Sequence, residues 1–156
     1  AKNDRNNSSY WTTYKQITVY NKNYDKALAA ISEIERLEGS SIKLILEKSA
    51  IKQEQNKNDE AIKYLQKAHD LDSTNVEVLK RLVSIYLESE NFIDAKIFNN
   101  ILLHKFPEDP SGFINASIIS LNNSKPQKAI EYLQPKIKSF NNNYSVHYIL
   151  DRKSVV

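Results

Sequence analysis

The 156-residue chain carries 22 Lys and Arg against 19 Asp and Glu, a net charge of +3, and is 40% hydrophobic. That length holds one compact domain or a short repeat array, not two large domains. With no cysteine and two glycines, disulfides, thiol nucleophiles, zinc ribbons and glycine-rich phosphate loops are excluded. The charges are interspersed, which describes a solvated surface rather than a nucleic-acid footprint. No apolar run approaches the ~20 residues of a membrane helix. The excess of lysine over arginine and the abundance of Asn and Ile reflect an AT-rich base composition rather than a function. With no methionine anywhere, the chain is expected to be a fragment or a processed protein.

Residues 1–8 (AKNDRNNS) lack hydrophobic periodicity and are expected to form a mobile, disordered leader. Beyond them one step organises the chain. The segments NYDKAL, NDEAIKYL, NFIDAKIF and PQKAIEYL place Ala27, Ala61, Ala95 and Ala129 34 residues apart. Other columns keep the step: Trp11, Ile45, Leu79 and Phe113; Ile17, Ile51, Ile85 and Ile119; Ile31, Leu65, Asn99 and Leu133. Between Ala27 and Ala129 nothing has been inserted or deleted.

The first unit, about residues 8–41, sets a helix with Trp11, Tyr14 and Ile17 against one with Tyr24, Ala27 and Ile31, across a turn at Asn21-Lys22-Asn23. In the second, about 42–75, the turn is read at Asn56-Lys57-Asn58, and Lys48 and Lys52 stand at packing positions that only their alkyl stems can fill. The third, about 76–109, has Leu79, Leu82, Val83 and Tyr86, a turn at Ser89-Glu90-Asn91, then Phe92, Ala95, Phe98 and Leu102 at helical spacing. In the fourth, about 110–143, Pro110 and Pro126 open the helices, as proline tolerates a first turn. Pro135 should kink or end the last helix near Gln134. Residues 144–156 continue the register as the first helix of a fifth unit or a cap. Without a partner helix this segment leaves Val146, Ile149 and Leu150 partly uncovered, a route to self-association through 144–156.

Chemistry finds little support. His69, His104 and His147 occupy three different phases of the repeat and should not converge, so no metal site and no catalytic histidine are expected. Carboxylates such as Glu33 with Glu35, or Asp70 with Asp72, sit near helix ends as solvated charges. Trp11, Tyr14, Tyr24 and Tyr86 fall on packing columns rather than forming a base-stacking platform. No cofactor, no enzyme activity and no nucleic-acid partner are expected.

With its 34-residue step, its columns and the segment NDEAIKYLQKAHDLDSTN, the chain resembles the tetratricopeptide repeat family, over about residues 8–143. The resemblance implies an all-α fold, a right-handed α-solenoid of helix-turn-helix repeats. It also implies a non-enzymatic scaffold that binds a protein or peptide segment along the first helices of successive units. By register that groove would be lined by Thr12, Gln16, Val19, Tyr20, Leu46, Ala50 and Gln53, then Lys80, Arg81, Ser84, Leu87, Ile114, Ile118 and Leu121. Val19, Leu46, Leu87, Ile114, Ile118 and Leu121 stand where the hairpins would not need them for their own packing, and are expected to form an apolar stripe for the partner. Lys80, Arg81, Glu47, Glu54 and Glu88 would set its orientation. The co-chaperone members hold a C-terminal carboxylate with basic and amide side chains; the matching positions here are Thr12, Gln16, Glu47, Glu77 and Arg81. Only Arg81 fits, and Glu47 would repel a carboxylate. The alternative is a structural or oligomerising segment of a larger protein, with a bacterial envelope as one setting.

Overall fold

A computed structural model of the chain describes residues 7–136. Eight α-helices follow one another: α1 (Ser8–Tyr20), α2 (Tyr24–Glu38), α3 (Ile42–Glu54), α4 (Asn58–Leu71), α5 (Val76–Glu88), α6 (Phe92–Lys105), α7 (Pro110–Asn122) and α8 (Pro126–Leu133). A 3-10 turn over Gln134–Lys136 follows. The helices pair as consecutive helix-turn-helix hairpins, and no strand occurs among the described residues.

Local chemistry repeats with the hairpins. Every first helix opens on a side-chain cap: Asn7, Ser41, Asn75 and Asp109 accept from the backbone N–H of Ser9, Leu44, Val78 and Ser111. Such caps satisfy N–H groups that the first helical turn leaves without partners. The second helices are less uniform. Asn23 and Asn91 cap α2 and α6 through their side chains, whereas Lys57 and Lys125 precede α4 and α8 without a side-chain cap bond.

Each hairpin turns through one left-handed residue: Lys22 (φ 54°), Asn56 (φ 57°), Glu90 (φ 55°) and Ser124 (φ 55°). The following N–H reaches back across the helix end, Asn23 to the Thr18 carbonyl at 2.8 Å and Asn91 to that of Tyr86 at 2.8 Å. This is the Schellman arrangement, built here without glycine. It corrects the second turn by one residue. Asn56 takes the left-handed position and Lys57 the cap, so Asn58 is already the first residue of α4.

The chain divides into two compact units, Ala1–Ser73 and Thr74–Val156. In the N-terminal unit, α1 packs on α2, α2 on α3 and α3 on α4. Ala27, Ile31, Ile34, Leu44 and Ile51 form a core, with Trp11, Tyr24 and Leu28 half-buried against it. Lys48 and Lys52, at packing positions, and likewise Lys15 on α1, bury their stems and pair their heads: Lys15 with Glu47 at 2.6 Å, Lys52 with Glu60 at 2.6 Å, and Lys48 with Glu35. Ile17 departs from its column. It is 53% exposed, while Ile51, Ile85 and Ile119 are buried. Ile51 packs among residues of α2, the second helix of the preceding hairpin, and α1 has no such helix before it among the described residues.

In the C-terminal unit, α5 packs on α6, α6 on α7 and α7 on α8. Leu79, Val83 and Leu102 form one core, lined by Leu87, Phe98 and Ile101, and Tyr86 stacks on Phe98 at 5.7 Å. Leu133 anchors a second core against Phe113, Ile114, Ile118 and Leu121. α8 ends at Leu133, before Pro135, where the missing N–H and the ring would break the helical ladder.

In all four hairpins the anchor alanine is buried. Ser49 and Ser117, at one repeat position, donate to the Ala61 and Ala129 carbonyls at 3.1 Å, joining the two helices of their hairpins. Asn7 and Ser8, expected in the leader, instead cap and open α1. The expectations for residues 1–6 and for a helix over 144–156, with its self-association, lie outside the described residues.

Candidate protein-binding faces

Each unit offers its own face of first helices. In the N-terminal unit, Thr12, Gln16, Val19 and Tyr20 follow one side of α1 at i, i+4, i+7 and i+8, the spacing that keeps side chains on one helix face. Tyr20 is 87% exposed and Val19 40% exposed. Gln16 is exposed and Thr12 half-buried; Leu46, Ala50 and Gln53 on α3 are half-buried. Tyr20 is peculiar to its unit, because Glu54, Glu88 and Asn122 hold the same repeat position.

In the C-terminal unit, Ser84 is exposed, and Lys80, Arg81, Leu87, Ile114, Ile118 and Leu121 are half-buried. Here the apolar expectation needs correction. Leu87 packs against the Leu79, Val83 and Leu102 core, and Ile114, Ile118 and Leu121 pack around Leu133. These four side chains are wanted by the hairpins themselves, since the fully buried Leu133 needs an apolar cover. Only their outer surfaces remain for a partner.

The charged positions are also engaged within the chain. Lys80 pairs with Asp109 at 2.5 Å, Arg81 with Glu77 at 2.7 Å, and Glu47 with Lys15. Glu88 accepts from the Ser84 hydroxyl at 2.9 Å and Glu54 from the Tyr24 hydroxyl at 3.5 Å. A partner steered by these groups would have to exchange pairs already made. Burial pushes the Asp109 carboxyl up, but hydrogen bonds from Lys80 and Ser111 outweigh it and hold the group below the usual aspartate range. Arg81 with Glu77 and Ser84 with Glu88 follow the four-residue spacing of one helix, but periodicity could not reveal the pairs between helices, whose members lie far apart in sequence, as in Lys15 and Glu47.

No group of three or more His, Asp or Glu placed to hold a metal ion occurs among the described residues. None of their helices is long and apolar enough to cross a membrane.

Residues 53–112 match the family model of the tetratricopeptide repeat. No curated protein matches the chain. Among solved structures, the fold is similar to YrrB, described as a tetratricopeptide repeat protein with an unusual peptide-binding site, with a TM-score of 0.75 at 16% identity over 95% of this chain and 76% of that one. A tetratricopeptide repeat protein from Parabacteroides merdae gives a TM-score of 0.80 at 17% identity, over 92% of this chain and 59% of its own length. MamA from Desulfovibrio magneticus gives 0.76 at 14% identity, over 99% and 88%. Likeness at such identities speaks to the fold.

Proposed function

We propose, from the match of residues 53–112 to the tetratricopeptide repeat model and the likeness of the fold to solved tetratricopeptide repeat proteins, that the chain is a non-enzymatic scaffold that seats a peptide or helical segment of a partner protein on its first-helix faces. The repeat fold supports protein or peptide partners in general. The finer reading rests on one observation: Tyr20 and Val19 stand open on α1 beside the neutral Gln16. An exposed aromatic with an aliphatic neighbour is the kind of anchor that dominates interface energies, while amides fix the register of an extended backbone. The description of YrrB as carrying a peptide-binding site supports the same class of ligand.

On this reading the N-terminal unit recognises a largely uncharged segment with one apolar side chain for the Tyr20 and Val19 patch. In the C-terminal unit, Ile114, Ile118 and Leu121 extend recognition only through their outer surfaces. The test is selection of binders from a random peptide library against the intact chain, followed by calorimetric titration. Val19→Asp with Tyr20→Ala should weaken the selected peptides by about tenfold or more while leaving the melting curve in place. Peptides that bind the double variant unchanged, or a selection that yields none, would overturn the proposal.

A further inference from the structure

The repeat makes the hairpins near copies of one another, and near copies can stack in the wrong order. Each joint inside a compact unit sets the second helix of one hairpin against the first helix of the next, α2 against α3 and α6 against α7. Misassembly of such joints, within a chain or between copies, is a characteristic failure of repeat proteins. The two joints differ at the positions where they would otherwise be interchangeable.

In the joint of α6 with α7, two departures from the repeat columns meet. Asn99 stands where the other second helices carry Ile31, Leu65 and Leu133, and Gly112 where the other first helices carry Tyr10, Leu44 and Val78. The buried Asn99 amide donates to the Gly112 carbonyl at 2.8 Å. The glycine also receives the tip of Leu103, because a Cβ there would lie 3.1 Å from Leu103 Cδ2. A larger residue at 112 would hold the helices apart and take the carbonyl out of the amide's reach. In the joint of α2 with α3, the counterparts of Asn99 and Gly112 are Ile31 and Leu44, which lie in one apolar core. The counterpart of Leu103 is Glu35, which pairs with Lys48, a side chain only 12% exposed. On α7 the position of Lys48 is held by Ala116.

We infer that these two pairs determine the order in which hairpins stack: Asn99 with Gly112 makes α6 accept α7, and Glu35 with Lys48 matches α2 to α3. Stacking α6 on α3, of the same chain or of a second copy, would set Asn99 against the Leu44 side chain with its amide unpaired, and the apolar Leu103 against the Lys48 head. Stacking α2 on α7 would set Glu35 beside Ala116 without a cation. Each wrong joint thus strips a polar group of its partner, and that penalty discriminates between otherwise similar surfaces. Asn99 keeps an orphaned Oδ1 even in the correct joint. Its place is therefore one of register rather than of stability, the best-attested use of a buried polar group.

Refolding of the full chain from urea, followed by size-exclusion chromatography with light scattering and by thermal melts, tests this, because stability and fidelity should move in opposite directions. Wild type should return as one monomeric species. Asn99→Leu should melt higher yet raise the ratio of oligomeric, mis-stacked chain to monomer by about fivefold or more, the effect of one lost hydrogen bond. Glu35→Leu with Lys48→Leu should keep its melting temperature, since apolar residues can replace a buried pair, and should also add mis-stacked chain. Glu35→Lys with Lys48→Glu reverses that pair without erasing it and should refold like wild type. A wild type that refolds as a mixture, leucine variants that match its monomer yield, a reversed pair that behaves like the double leucine, or oligomers that rise only where the melting temperature falls would each overturn the inference.

Discussion

Replacing Asn99 by leucine should stabilise the protein, although it removes a well-formed hydrogen bond. Asn99 is 1% exposed on α6, and its repeat counterparts Ile31, Leu65 and Leu133 are fully buried and apolar. Its Nδ2 donates to the Gly112 carbonyl at 2.8 Å, while its buried Oδ1 has no partner. A net hydrogen bond contributes about 1 kcal/mol, and an unpaired buried oxygen costs about 1–3 kcal/mol. The Gly112 carbonyl lies inside α7, where the helical ladder can still use it. Leucine nearly matches the shape of asparagine, so it leaves no cavity. A carbon at the Nδ2 position must, however, retreat to the ~3.3 Å of a carbon–oxygen contact, which takes back part of the gain. The balance is an increase of about 1 kcal/mol, or about 2–4 °C in Tm for a chain of this size. Urea unfolding followed by circular dichroism measures it, with Asn99→Ala as the cavity-forming control. A leucine variant less stable than wild type by about 1 kcal/mol would refute the reasoning, because the bond to Gly112 would then outweigh both the orphaned oxygen and the apolar replacement.

Lys57→Asn should supply α4 with the cap that Asn23 and Asn91 give α2 and α6, raising stability by about 0.5–1 kcal/mol in thermal melts. Leu82→Ala, at a fully buried position of α5, should cost about 2–5 kcal/mol in denaturant unfolding. Asp109→Asn keeps a competent cap for α7 but loses the charged partner of Lys80. The carboxyl's folded value is depressed, so its contribution is complete above the unfolded value near 3.9 and disappears as pH falls through the lower folded value. Wild type should therefore exceed the variant at neutral pH, and the two should converge in acid, as read from unfolding midpoints across pH.

The hairpin architecture was legible because it is written several times over. An alanine at one spacing is weak, but alanines, isoleucines and caps at the same spacing leave one solution. The helix starts at Ser8, Ile42, Val76 and Pro110 carry the same 34-residue step. Depth of burial was less legible. Ile17 has the sequence signature of Ile51, yet it stays open because burial at that column depends on a neighbouring helix, which lies outside a residue's own period. For the candidate faces, periodicity places Leu87 and Leu121 on the correct side of their helices. It does not say how far a core residue such as Leu133 draws its neighbours inward. The lysine–glutamate pairs were hidden for the same reason, because contacts between helices are set by packing rather than by spacing along the chain.

The left-handed turn residues at Lys22, Asn56, Glu90 and Ser124 bear on how the molecule assembles in time. Each turn reverses the chain within a few residues, so the partners that must meet are close in sequence and the entropy of closing their loop is small. Topologies dominated by such local contacts fold within microseconds to milliseconds. Because every hairpin carries its own turn, closure can begin at any of the four and spread to its neighbours. A destabilised hairpin should then open by itself while others persist, and hydrogen exchange would register it as a separate, faster class of amides.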